Sequence, residues 1–104
     1  MSNLMNLQNQ SGNNIQTSDK KQAIAVAVAV AFERTGTNPF PIENMLNDIV
    51  NEFQDLDAGE IIKAIRNGGL GKYGRTYKLT TQEICVWIRQ YINDRNLAKF
   101  NPFG

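Results

Sequence analysis

The 104-residue chain contains no histidine and a single cysteine, Cys85. The first absence removes the commonest general base and the commonest metal ligand. The second excludes an internal disulfide and a thiolate metal cluster. Cys85 stands in a helical pattern, where a lone cysteine reads as a small buried hydrophobe rather than a reactive thiol. A reducing, cytoplasmic setting fits. Serine occurs only at Ser2, Ser11 and Ser18, with no imidazole to activate it. The acid pairs Asp55/Asp57 and Asp48/Glu52 fall on a loop or a hydrophilic helix face, where carboxylates are ordinarily solvated. No D-x-D-x-D-G calcium loop is present. An enzyme, a metal and a cofactor are therefore all unexpected. Long apolar runs are missing as well. The longest, residues 23–32, is ten residues, too short to span a bilayer. It also begins behind a long polar lead, unlike a signal peptide. No membrane association is expected.

What is present is an uneven distribution of charge. The net charge is only +1. Yet residues 1–60 carry three Lys/Arg against eight Asp/Glu, while residues 61–91 carry six basic residues against Glu83 alone. Such a chain can present a basic face despite its near-neutral total. The plainer account is that the two halves attract each other, or a second copy.

Residues 1–17 are rich in Asn, Gln and Ser and read as a flexible tail. A helical domain over 18–96 follows, then a C-terminal tail, 97–104. "AIAVAVAVAF" at 23–32 alternates like a strand. Its second face is alanine, however, a poor strand former and the best helix former. Asp19 and Gln22 stand at capping-box spacing, and Gly36 suits a C-cap. A helix over this stretch is apolar nearly all round, hence a central buried helix or an oligomer seam. After "TGTNPFP", Ile42, Met45, Leu46, Ile49, Val50 and Phe53 mark an amphipathic helix with an acidic outer face. Asp57 and Glu60 open a short helix over about 58–67, and Thr80 with Glu83 opens a last one ending near Arg95. On that last helix Ile84, Trp87, Ile88, Tyr91 and Ile92 share a face. Leu97, Phe100 and Phe103 fold back on the core or form a docking peptide. The expected fold is all-α: a small bundle of about four helices with a glycine-rich loop before the last long helix.

That loop, "NGGLGKYGRTYK" at 67–78, holds four of the eight glycines. Gly69-Leu70-Gly71-Lys72-Tyr73-Gly74 matches G-x-G-x-x-G. A dinucleotide fingerprint, however, leaves a strand and opens a helix, and this segment follows a helix. Two readings remain. In the first, Gly68 or Gly69 is a C-cap, Gly71 and Gly74 make turns, and Leu70, Tyr73 and Tyr77 plug the space beneath. In the second, Lys72, Arg75 and Lys78 neutralise phosphates while Tyr73 or Tyr77 stacks on bases. Lys63, Arg66 and Arg89 then supply flanking basic surface. The last helix also loosely matches the second helix of a helix-turn-helix, with Gln82, Arg89, Gln90 and Asn93 as readers, although the connection is too long.

Residues 64–92 resemble the end of small helical proteins encoded by phages and mobile elements of the Bacteroidota. The pattern is carried by Gly68, Gly71, Tyr73, Gly74, Tyr77, Leu79, Trp87 and Tyr91 and covers under a third of the chain. The resemblance implies an accessory role near phage or plasmid DNA metabolism and no catalytic residues. Two functions follow as expectations. One is a non-enzymatic protein that contacts DNA or RNA through Lys63, Arg66, Lys72, Tyr73, Arg75, Tyr77, Lys78 and Arg89. The other is a protein–protein adaptor or self-assembling subunit. It would use helix 23–32, with Val28 in the seam, or the acidic helix or the C-terminal tail.

Overall fold

A computed structural model describes the backbone of residues 2–100 and the side chains of residues 18–99. The backbone of residues 2–17, expected as a flexible tail, is helical. Leu97, expected to fold back on the core or to dock a partner, is 59% exposed; the side chains of Phe100 and Phe103 lie outside the described residues. Four helices follow one another: α1 (Ser2–Thr35), α2 (Glu43–Glu52), α3 (Ala58–Gly69) and α4 (Thr81–Phe100). No strand occurs among the described residues. The fold is a small all-α bundle.

The alternating Ala/Val stretch is helical, because alanine at every second position contributes helix propensity and no strand-like polar face. The start signal at Asp19 is overruled, since α1 runs through it. Between Ser2 and Gly36 no proline interrupts the chain, and a capping residue within a continuing helix has no exposed end to cap. Gly36 ends α1 as expected. Its φ of +68° lets Gly36 N–H donate to Glu33 O at 3.2 Å and Thr37 N–H to Phe32 O at 2.9 Å. That is a Schellman ending.

Asp57 caps α3 by accepting from Glu60 N–H at 2.9 Å. Thr80 caps α4 by accepting from Glu83 N–H at 3.1 Å. Neither acid side chain closes a capping box: the Glu83 carboxylate accepts from the Thr76 hydroxyl at 3.1 Å, and that of Glu60 pairs with Arg95. Helix α4 continues past the expected end at Arg95 to Phe100, because Asn96–Lys99 contains no breaker and Pro102 is the first.

Packing runs in a ring: α1 on α3, α3 on α4, α4 on α2, and α2 back on α1. Ile24, Val28, Ala31 and Phe32 of α1 meet Met45, Leu46 and Ile49 of α2, Ile61, Ala64 and Ile65 of α3, and Ile84, Trp87 and Ile88 of α4 in one buried core. Val28 is wholly buried, so it belongs to the core and not to a seam. Helix α1 is not buried all round: Val26 is 63% exposed.

The tightest contact joins α3 to α4. A Cβ at Gly68 would lie inside the Trp87 ring. Gly68 is therefore a helical residue kept bare by its neighbour, not the C-cap. The cap is Leu70, and Gly71 follows at φ +83°. Lys72 N–H then donates to Asn67 O at 2.9 Å and Gly71 N–H to Gly68 O at 3.0 Å, a second Schellman ending.

Alanine in place of an ordinary helical glycine stabilises by up to about 1 kcal/mol. Gly68→Ala should instead destabilise by about 1–3 kcal/mol, the usual range for an overpacked core. Gly69→Ala meets the flexible Arg34 side chain at 3.3 Å and the Ala31 backbone at an ordinary 3.9 Å, and should be neutral or mildly stabilising. Urea unfolding of both variants checks this. A Gly68→Ala protein as stable as wild type would mean the ring does not lie on the α3 backbone.

Candidate nucleic-acid interface

The glycine segment lies where α1 and α3 end side by side. Gly69 stands within van der Waals reach of Arg34 and Ala31. The chain then turns at Gly71 and Gly74 (φ +108°) and returns to α4. Its far end is tied back to α1: Leu79 N–H donates to the Thr37 hydroxyl at 3.0 Å, which pairs with the Thr35 hydroxyl at 2.7 Å. Leu79, wholly buried, is the apolar plug under the loop. Of the residues expected in that role, Tyr73 packs against the core, whereas Leu70 and Tyr77 are 50% and 80% exposed. Leu79 and half-buried Tyr73 anchor the segment to the core.

Between the loop and the helix ends lies an open cleft of about 310 Å³. Gly68, Gly69 and Gly71 contribute to its lining, with Arg34, Arg75 and Tyr77 around them. The Arg75 guanidinium sits over the Tyr77 ring, 5.2 Å from its centroid, a cation–π pair. Neighbouring it, between α1 and α3, runs a trough of about 450 Å³ with a floor of Ala23, Val26, Ala27, Val30 and Ile62. Arg34 and Arg66 also line it. Arg34, which sequence reasoning passed over, thus lines both spaces. Its signal was its place just before Gly36, yet helical periodicity does not say that α1 ends beside α3.

The expected contact cations separate into three groups. Arg75 lines the cleft and Arg66 the neighbouring trough, and Arg34 lines both. Lys63, Lys72 and Lys78 are exposed on α3 and the loop. None of Arg34, Lys63, Arg66, Lys72, Arg75 or Lys78 has a carboxylate within ion-pair distance among the described residues, where the ion pairs are Arg89–Glu52 at 3.3 Å and Arg95–Glu60. Arg34 and Arg66 occupy the last turns of their helices, where cations offset the partial negative charge of the carbonyl ends. Arg89 lies apart, in a cleft shared with Asp48, Glu52 and Cys85, and packs over the Phe53 ring. Tyr73 is half-buried against the core, and its hydroxyl accepts from Asn67 Nδ2 at 3.1 Å. Its role is to hold the loop's shape.

No cluster of three or more potential metal-ligating side chains occurs among the described residues, and no described helix is long and apolar enough to cross a membrane. No family model, curated protein or solved structure matches the chain.

Cys85 is half-buried, and burial pushes its thiol pKa above the ordinary value. The charges of Glu52 and Asp48 add to the rise and Arg89 opposes it. The folded protein thus favours the protonated thiol. Its contribution to stability is complete below the ordinary thiol pKa and is lost as pH climbs through the raised one. Because the thiolate is the nucleophile, alkylation by iodoacetamide at pH 8 should be slower in the folded chain than in urea. Equal rates would show a thiol that burial does not hold.

Proposed function

We propose that this chain is a non-enzymatic, cytoplasmic nucleic-acid-binding accessory protein, acting in phage or mobile-element DNA metabolism, whose contact surface is the loop 70–80 with the adjoining ends of α1 and α3. The observation that carries the reading is the set of exposed cations with no carboxylate in ion-pair range among the described residues, with Arg75 stacked over exposed Tyr77. Lys72, Arg75 and Lys78 meet phosphates, Arg66 and Lys63 extend the basic surface along α3, and Tyr77 offers its ring to a base. Arg75 above that ring favours an unpaired base, since guanidinium and aromatic faces together form a stacking platform. Arg89 contributes less, being engaged by Glu52. The placement of Lys72 and Lys78 on a loop allows modest affinity and little sequence preference.

The test is fluorescence anisotropy of labelled single- and double-stranded DNA and RNA over a range of salt. Neutralising about three phosphates gives a log–log salt slope near −2 on single strands. Arg75→Glu should weaken binding at least about tenfold and flatten that slope. Tyr77→Ala should cost about 1–3 kcal/mol of affinity at an unchanged slope. Absence of binding at low salt would overturn the reading and leave the loop as a connection between helices.

A further inference from the structure

The exposed stripe of α1 is a repeat, not a scatter of apolar residues. Asp19, Ala23, Val26 and Val30 recur every four, three and four positions, which is the spacing of a coiled-coil seam. Ala27 and Arg34 lie beside them on the same face by helical periodicity. All six side chains are exposed or partly exposed. The core-facing residues Ile24, Val28, Ala31 and Phe32 lie on the other side of the helix, with Ala27 at the boundary and packed partly against the core. Ile62 of α3 forms the second wall of the trough. The stripe is therefore narrow, apolar, built partly of small alanines that permit close approach, and bounded by an acid at one end and a cation at the other.

We propose that the trough is filled by α1 of a second copy of the chain, packed antiparallel about a two-fold axis between Val26 and Ala27. That register sets Ala23 opposite the partner's Val30, small against large, and Asp19 opposite the partner's Arg34. By symmetry the second pair forms at the other end. A parallel arrangement would place Asp19 on Asp19 and Arg34 on Arg34, so like charges exclude it. The stripe is its own complement in the antiparallel sense, and the two-fold axis makes the interface isologous. A foreign helix would have to carry the same apolar spacing with the charges reversed end for end. The second copy supplies this without any further sequence. The surface shares Arg34 with the glycine cleft, but pairing of two copies does not require that the loop bind nucleic acid.

Sedimentation equilibrium of the full chain tests the proposal, with circular dichroism on every variant. A dimer is expected at micromolar concentration. Val26→Glu should convert it to a monomer of unchanged helicity, since Val26 lies outside the core. Asp19→Arg and Arg34→Asp should each weaken the dimer several-fold, and the double variant, which restores opposite charges in the same register, should recover it. A wild-type monomer at all concentrations would overturn the proposal and leave the trough to a different partner. A dimer indifferent to Val26→Glu would place the interface elsewhere. A dimer lost in Val26→Glu but not rescued by the charge exchange would overturn the antiparallel register.

Discussion

The architecture depends on how closely Trp87 approaches the backbone of α3. The indole, wholly buried, lies against Gly68 with no room for a side-chain carbon between them. Drawing α4 this close to α3 leaves the chain between them a short span to bridge, and loop 70–80 accordingly turns tightly. The contact is not without cost. The indole N–H finds no acceptor among the described residues, and an unmade hydrogen bond of this kind costs about 1–3 kcal/mol. Full burial of so large a ring outweighs that. On the other side of α3, Gly69 faces the flexible Arg34 side chain and the end of α1, with no comparable exclusion of a side-chain carbon. One glycine, Gly68, thus sets how closely α4 approaches α3.

Elements whose apolar residues lie on one side were legible in the sequence. Helix α2 buries Met45, Leu46 and Ile49 as its period indicated, and the caps at Asp57 and Thr80 are where their spacing placed them. Helix α1 was legible as a helix but not as an oriented one. Its Ala/Val alternation makes every face apolar, so nothing local separates wholly buried Val28 from exposed Val26. Only the ring of helix contacts decides between them. Gly68 was illegible for a related reason. A glycine near a helix end looks like a cap, and its true determinant is a tryptophan nineteen positions later. Tyr73 and Tyr77, alike in sequence, part company because one reaches Asn67 and the core while the other points away.

The charge asymmetry resolves along the same lines. Part of it is internal: Arg89 answers the acidic face of α2, and Arg95 answers Glu60. Lys20 donates to Leu56 O at 2.7 Å, tying α1 to the turn before α3. The attraction between the two halves of the chain is thereby real but partial. What is left over is concentrated toward the ends of α1 and α3 and the loop beside them, a region whose own backbone carbonyls are largely occupied by the two Schellman endings.

Arg34 belongs to both the glycine cleft and the apolar trough, and this has a thermodynamic consequence. One guanidinium cannot give its full attraction to two anions at once. Any ligand that draws it into the cleft changes the affinity of whatever occupies the trough, and the occupant of the trough changes the affinity of that ligand by the same factor. The two surfaces of this small bundle therefore form a coupled system, with its coupling free energy vested in a single side chain.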